Sequence, residues 1–172
     1  MRILALDPSG SYNEGKGKTG WLVLNDWRIE TFGQLKATDY NSREEYWHAH
    51  KELITKLTPD DIAAEQFVLY RTKASSQINS EMETSKLLGY IEMITWDTHT
   101  PFTAQLAAQA KTRFKDKILI YKNYIIKDKN GRYYINGVNV SDHIIDALRH
   151  ALLRRLTIAK REVKQNEPAR QT

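Results

Sequence analysis

Three short apolar segments follow one another in the first 32 residues, and no other feature of the sequence limits the possible folds as strongly. They lie at 2–7, 21–24 and 28–32, and turn-forming residues such as Pro8 and Asn25 separate them. Short apolar runs bounded by proline, glycine and asparagine are typical of β-strands. We therefore predict that the N-terminal part of the chain is a β-meander.

Helical and extended patterns alternate in the rest of the chain. Ser42 followed by Glu45 fits a capping box and predicts a helix that ends before Pro59. The further predicted elements are a strand at 62–68, a helix at 74–97, a strand at 102–106, an ambiguous helix or strand at 107–121, a hairpin at 124–140 and a last helix at 141–160. This order predicts an α/β fold in which helices pack against a mixed β-sheet.

A chain of 172 residues is long enough for one domain with a hydrophobic core. We expect the domain to span residues 1–160 and the polar tail at 161–172 to be disordered. The sequence contains no cysteine, which excludes disulfides, thiol nucleophiles and cysteine-ligated metals. It also lacks an apolar run of about 18 residues and a signal-peptide core, so a cytoplasmic protein without a membrane partner is expected.

The basic residues are concentrated in two segments, although the net charge is only +5. Segment 111–132 holds eight basic and two acidic residues, and segment 149–172 holds seven and two. Between them, 133–148 carries two acidic residues and no Lys or Arg. Such a distribution favours a polyanionic partner, nucleic acid above all, although a solvated basic surface would look the same.

Three acidic residues stand within or at the end of apolar segments. Asp7 ends the first predicted strand, Glu65 lies inside the fourth, and Asp146 lies in the last helix. A buried carboxylate requires a partner, and several that meet in one cleft require a cation such as Mg²⁺ or Mn²⁺. Asp142 and His143 lie four and three residues before Asp146, on the same helix face. Simpler roles are open to single acids: Asp7 could cap a turn, Glu65 could pair with a lysine, and Asp142 could be a favourable charge at the helix N-terminus.

Three segments of the sequence resemble the motifs of RuvC-like Holliday-junction resolvases, of the RNase H-like superfamily, and in particular its phage-type members. They are ILALDPS at 3–9 with KTGW at 18–21, IAAEQ at 62–66, and DHIIDALRH at 142–150. The resemblance implies an RNase H-like fold and a homodimeric, Mg²⁺-dependent endonuclease, in which Mn²⁺ would substitute for Mg²⁺. Two-metal hydrolysis would leave a 5′-phosphate and a 3′-hydroxyl.

The resemblance also implies which residues act. It makes Asp7, Glu65 and Asp146 catalytic residues and metal ligands, with a fourth group from the last helix. His143 is favoured for that place because it lies three residues before the final aspartate, as in the family. Asp142, next to it, is the alternative metal ligand.

The sequence departs from the family pattern in three places. The loop at 11–18 is longer and more basic, and the hairpin at 124–140 is an insertion. Val68 stands where bacterial members carry an aromatic residue that enters the junction, with Phe67 and Tyr70 nearby. We therefore expect cleavage of branched DNA in general as well as of four-way junctions.

Basic and aromatic residues near the three acids are candidates for contacts with the DNA backbone and with unpaired bases. They are Lys16, Lys18, Tyr70, Arg71, Lys73, Lys111, Arg113, Lys115 and Lys117.

Three other classes of protein compete with this hypothesis. One is another RNase H-like nuclease, which cuts RNA–DNA hybrids or serves a packaging motor. Another is a branched-DNA-binding protein without catalysis. An actin-like phosphotransferase would need two such domains, for which 172 residues are too few.

Overall fold

A five-stranded mixed sheet forms the centre of the computed structural model, which describes residues 1–68 and 82–166. Its strands are β1 (Arg2–Asp7), β2 (Lys18–Asn25), β3 (Arg28–Lys36), β4 (Asp61–Glu65) and β5 (Phe102–Gln105). They lie in the order β3-β2-β1-β4-β5, with β1, β2 and β3 antiparallel and β1, β4 and β5 parallel. The predicted meander and the predicted mixed sheet are confirmed.

Helices cover both faces of this sheet. They are α1 (Arg43–Leu57), α2 (Glu83–Asp97), α3 (Ala107–Arg113), α4 (Asp116–Tyr121) and α5 (Asp142–Asn166), with a 3₁₀ turn at Ala37–Asp39. Side chains of the central strand β1 alternate between the two faces: Leu4 and Leu6 pack with α1 and α2, and Ala5 packs with α5. Because β1 is buried on both faces, an acid at its end is held at a defined depth.

Helix α1 begins where the sequence predicts. The Glu45 backbone N–H donates to Ser42 Oγ at 3.1 Å, which supplies the N-cap. The Glu45 carboxylate accepts from the Asn41 N–H at 3.0 Å, one residue before the position that a standard capping box uses. Thr58 ends the helix in a left-handed conformation, as expected just before Pro59.

The segment 124–140, predicted as a hairpin, forms a three-stranded antiparallel sheet. Its strands are β6 (Ile126–Lys127), β7 (Tyr133–Ile135) and β8 (Val138–Val140). The second turn consists of Asn136 and Gly137, with φ values of 49° and 81°. Positive φ at both positions is the requirement of the two-residue turn that Asn-Gly favours. The Asn-Gly dipeptide is therefore a sequence signal for the third strand, β8, which was not predicted.

Several predicted boundaries differ from the structure. The ambiguous segment 107–121 forms α3 and α4, and the strand predicted to reach Val68 ends at Glu65, beside the last residue of its neighbour β5. Of the helix predicted at 74–97, residues 74–81 lie outside the described residues. Helix α5 continues past 160 to Asn166, because good helix formers follow and the next proline is Pro168. No helix in the described ranges has both the length and the apolarity needed to cross a bilayer.

A buried polar network lies under the loop that follows β1. His50 of α1 is 1% exposed, and its Nδ1–H donates to the Tyr46 carbonyl at 2.9 Å. Its Nε2 lies 2.9 Å from Thr19 Oγ1 of β2. The Tyr46 hydroxyl donates to the Ser9 carbonyl at 2.7 Å. The network therefore ties α1 and β2 to the backbone two residues after Asp7.

Acid is expected to destabilise the protein through His50. Burial lowers the pKa of His50 to about 4, whereas an unfolded histidine has a pKa of about 6.5. The neutral form is therefore favoured in the folded state, and stability is lost as the pH falls from 6.5 toward 4, by about 3 kcal/mol in total. Urea unfolding at pH 7.5 and at pH 4.5 measures this loss of stability. The variant His50→Gln, whose side chain cannot titrate, should lose less stability between the two pH values. Equal losses in the two proteins would contradict it.

Candidate active site

Asp7 and Glu65 leave the sheet side by side. They are the last residues of the neighbouring parallel strands β1 and β4, whose register pairs Leu6 with Ala64. The carboxyl ends of parallel strands lie at one edge of a sheet, where open α/β sheets bind ligands. Two acids that were 58 positions apart in the sequence therefore share one edge.

Helix α5 reaches the same edge because Gly20 has no side chain. Gly20 of β2 pairs with Asp7, and a Cβ atom there would lie 2.3 Å from the carbonyl carbon of His143. Only glycine allows the first turn of α5 to approach β2 this closely. The contact brings His143 and Asp146 toward Asp7.

His143 and Asp7 form a direct polar contact between α5 and the sheet. Nδ1–H of His143 donates to Asp7 Oδ2 at 2.6 Å. This hydrogen bond raises the pKa of His143. The pKa of Asp7 is raised too, chiefly by burial and further by the charges of Glu65 and Asp146, while the bond to His143 opposes the shift. The pKa of each group is therefore higher than its ordinary value.

Asp146 is paired with two cationic side chains. Its Oδ2 lies 2.9 Å from Lys111 Nζ of α3, and its Oδ1 accepts from Arg149 Nη1 at 2.5 Å. Burial opposes the charge of Lys111, but the hydrogen bond to Asp146 and the charges of Glu65 and Asp7 raise its pKa overall. Lys111 therefore interacts with all three acids of the site.

Glu65 has a histidine partner from the same helix. Nε2 of His150, a side chain that is 1% exposed, lies 3.2 Å from Glu65 Oε2. Nδ1 of His150 lies 2.8 Å from Oε1 of Gln105, which pairs with Glu65 across β4 and β5. A carboxylate oxygen and an amide oxygen both accept hydrogen bonds, so each ring nitrogen of His150 faces an acceptor. His150 thus fixes one oxygen of Glu65 against α5.

The structure brings Asp7, Glu65, His143 and Asp146 together, as the sequence predicts for the catalytic set. Asp142 is exposed at the first residue of α5, and within the described residues it has no hydrogen bond or ion pair with the other acids. The geometry therefore places His143 against Asp7 and leaves Asp142 at the rim. The catalytic and metal-binding roles of these residues stay predictions.

The donor set fits a hard divalent cation, although the acids are not arranged around one. Within residues 1–68 and 82–166, no three carboxylates or imidazoles are close enough to hold a metal as they stand. Each acid contacts a different partner. Asp7 contacts His143, and Glu65 contacts His150. Asp146 contacts Lys111 and Arg149. Burial raises the pKa of Asp7, and the charges of Glu65 and Asp146 add to the shift. Carboxylate oxygens that repel one another are ligands for Mg²⁺ or Mn²⁺.

Residues predicted to contact DNA occupy different positions. Lys111 lies in the site, whereas Lys16, 3.1 Å from Glu14, and Lys18 are exposed on the loop and strand that follow β1. Lys18 is close enough for its charge to lower the pKa of His143. Arg113, Lys115 and Lys117, the other predicted contacts from segment 111–132, are exposed as well. The remaining three, Tyr70, Arg71 and Lys73, lie outside the described residues.

An open cavity of about 370 Å³ adjoins Glu65. Pro8 and Phe67 line it on the side of β1 and β4, and Thr84 and Leu106 line it from α2 and the end of β5. Its lining is mostly apolar, with the Glu65 carboxylate at one end. Glu65 is therefore accessible from this side.

Two contributors to the site were not identified from the sequence. Gly20 lies in a quoted motif but received no role, and Arg149 was counted only as part of a basic segment. The spacing of Arg149, three residues after Asp146, was the available signal for an ion pair on one helix face.

Solved structures of two resolvases are similar to this one. Thermus thermophilus RuvC in complex with Holliday junction substrate has a TM-score of 0.66 and 18% identity, over 93% of this chain and 96% of that one. A second T. thermophilus RuvC structure has a TM-score of 0.62 and 15% identity, with the same coverage of both chains. Fowlpox virus resolvase in complex with Holliday junction DNA has a TM-score of 0.52 and 11% identity, over 92% of this chain and 99% of that one. No protein-family profile and no curated protein matches the chain.

These similarities concern the fold. The chain has the mixed α/β fold of RuvC, with five strands in one sheet and helices on both faces. The RuvC-like, RNase H-like fold that the sequence predicts is therefore confirmed. Membership of the phage-type branch stays a prediction.

Proposed function

We propose that this chain is a divalent-metal-dependent endonuclease that cuts four-way junctions and other branched DNA. One observation carries the proposal: Asp7, Glu65 and Asp146 converge at the carboxyl edge of a RuvC-like sheet, and His143 contacts Asp7. The similar RuvC and poxvirus resolvase structures contain Holliday junction DNA, which supports the substrate class. Fold alone does not determine function, so the arrangement of the acids is the stronger support.

Each group of the site has a distinct role in this proposal. Asp7, Glu65 and Asp146 hold Mg²⁺ or Mn²⁺, which when bound supplies a polarised water and charge stabilisation at the leaving oxygen. His143 orients Asp7 through the hydrogen bond from Nδ1 and retains a proton beside it. His150 orients Glu65 in the same way. The chain's own residues thus fix the directions in which the carboxylate oxygens point.

Exposed cations would bind the DNA backbone in this proposal. Lys18 lies on β2, close enough to His143 for its charge to act there. Arg113, Lys115 and Lys117 follow Lys111, at the end of α3, in the loop after it and in α4. Contacts of this kind neutralise phosphates without reading bases, so binding should weaken steeply with salt. They explain how an acidic site can receive a polyanion.

A homodimer is part of the proposal. A two-fold dimer would place one site on each of two opposed strands of a junction. Met93 and Trp96, 49% and 71% exposed, lie three residues apart on α2. Exposed apolar residues on one helix face offer a surface for a second copy. We therefore expect two copies per junction.

The decisive experiment uses a labelled four-way junction with the wild-type protein and with Asp146→Asn. We expect cleavage only when Mg²⁺ or Mn²⁺ is present, and a loss of about 10³-fold in Asp146→Asn with junction affinity retained, because the variant lacks one charged ligand. Sedimentation of the complex in Ca²⁺ gives the number of copies bound. Asp39→Asn, an exposed acid next to α1, is the matched control.

Other results would select the competing hypotheses. Cleavage of RNA–DNA hybrids or linear duplex in preference to junctions would favour another RNase H-like nuclease. Tight binding to junctions without cleavage at any metal concentration would favour a binding protein. Undiminished cleavage by Asp146→Asn would remove Asp146 from the site.

A further inference from the structure

The two oxygens of Asp146 have partners of different character. Oδ1 accepts from Arg149, whose side chain is 12% exposed, and Oδ2 contacts Lys111, whose side chain is 50% exposed. Arg149 is a planar, rigid donor, whereas lysine is a point charge on a flexible stem. One oxygen is therefore held by a fixed group and the other by a group that can leave.

Arg149 is fixed because two further segments contact it. Its Nε donates to the Phe114 carbonyl at 3.2 Å, and its Nη2 donates to Asp116 Oδ1 at 2.5 Å. The guanidinium of Arg149 therefore donates to three different residues: Asp146, Phe114 and Asp116. Arg149 therefore cannot turn without breaking bonds to the loop between α3 and α4.

Asp116 links this arginine to the small sheet β6–β8. Its Oδ2 accepts from Lys127 Nζ at 2.9 Å and from the Tyr133 hydroxyl at 2.8 Å. The ammonium of Lys127 also lies 4.6 Å from the centre of the Tyr133 ring. A continuous chain of hydrogen bonds thus leads from the inserted sheet through Asp116 and Arg149 to Asp146.

We propose that Arg149, fixed by Asp116 and the β6–β8 sheet, is a positioning residue that presents Oδ2 of Asp146 to a divalent cation, and that Lys111 is the counterion which this cation displaces. The inference rests on the proposed function and deepens it. Groups that hydrogen-bond to a ligating carboxylate hold it in the orientation that the metal requires. The inserted sheet is accordingly a support of the active site.

Charge alone and positioning predict different results for Arg149→Lys. If both cations acted only by repulsion, removing the Lys111 charge would tighten the binding of a divalent ion, and Arg149→Lys, which keeps its charge, would leave binding unchanged. Positioning also predicts tighter binding when the Lys111 charge is lost, but weaker binding for Arg149→Lys. The result for Arg149→Lys therefore separates the two explanations.

The test is a Mn²⁺ titration of the full chain without DNA, followed by the electron paramagnetic resonance signal of free Mn²⁺. We expect about 5-fold tighter binding for Lys111→Gln, since one nearby positive charge is removed. Arg149→Lys keeps the charge but not the three contacts, and should bind about 10- to 100-fold more weakly. Asp116→Asn should also bind Mn²⁺ more weakly than the wild type. Arg161→Lys, exposed on the same helix, is the matched control and should equal the wild type.

Two further readouts keep a folding defect from imitating the result. Circular dichroism and the thermal midpoint of unfolding show whether each variant folds. The side chain of Asp116 is partly exposed and lies outside the hydrophobic core, so Asp116→Asn should fold. With a junction as substrate, Arg149→Lys should lower kcat and leave KM unchanged.

Each outcome has a definite meaning. Folded Arg149→Lys that binds Mn²⁺ as tightly as the wild type overturns the positioning role, and weaker binding by Lys111→Gln overturns the counterion role. The predicted order of affinities without any DNA cleavage supports the positioning role and overturns the proposed nuclease. A wild-type chain that binds no Mn²⁺ overturns both.

Discussion

Replacing Asp7 by asparagine is expected to lower metal-dependent cleavage of a four-way junction by about 10³-fold or more while leaving the fold at least as stable as the wild type. The carboxylate is a proposed metal ligand, so its loss removes one of three charged donors. Its charge is also unfavourable for folding, because burial and the neighbouring Glu65 and Asp146 raise the pKa of Asp7. A raised pKa means that the ionised form is destabilised in the folded protein at neutral pH. The uncharged amide relieves this and can still accept the hydrogen bond from His143.

Cleavage rates at saturating Mg²⁺ and thermal unfolding in its absence measure the two effects. Asp39→Asn, an exposed acid outside the site, should change neither rate nor midpoint appreciably. A fall of several degrees in the midpoint of Asp7→Asn would show that the ionised Asp7 stabilises the fold. Cleavage at the wild-type rate would exclude Asp7 from catalysis.

Replacing Arg154 by methionine is expected to lower the free energy of unfolding by about 3–5 kcal/mol. Arg154 of α5 and Asp61 of β4 are 8% and 3% exposed. The guanidinium donates to both carboxylate oxygens, from Nε at 2.7 Å and from Nη2 at 2.6 Å. The single substitution leaves Asp61 buried without its counter-charge, which is the most costly way to break such a pair.

The double variant Arg154→Met with Asp61→Val tests this explanation. It removes both charges, so most of the lost stability should return. Urea unfolding at pH 7 measures each variant, and Arg161→Met, an exposed position on the same helix, should change stability by less than about 0.5 kcal/mol. If the double variant were as unstable as the single one, packing of the arginine stem and not charge would explain the loss. The pair joins the elements that carry Asp146 and Glu65, so the same variants should also lower cleavage.

Local signals in the sequence were sufficient for most elements. Apolar runs bounded by turn residues placed β1, β2 and β3, and Ser42 placed the start of α1. The signals failed where neighbours decide the length of an element. Strand β4 ends at Glu65, where pairing with β5 stops, although the apolar sequence continues to Val68.

The acids of the site could be identified in advance because a charge in an apolar segment is unusual. Their partners could not, because they come from distant segments with no pattern of their own. Lys111 was identified as a contact for DNA, and the structure places it against Asp146. Arg149 was only one of seven basic residues near the C-terminus, yet it connects Asp146 to Asp116, 30 positions earlier.

The sequence by itself therefore determined the class of fold, the three acids and their order along the chain. These follow from hydrophobic periodicity and from the cost of burying a charge, which are both local properties. Only the tertiary structure decided which group faces each acid. The close approach of α5 to β2 at Gly20 brings His143 to Asp7. Arg149 contacts both Asp146 and Asp116, and Asp116 in turn contacts the β6–β8 sheet. Such contacts depend on distances of a few ångströms between segments far apart in the sequence, and no periodicity of the chain encodes them.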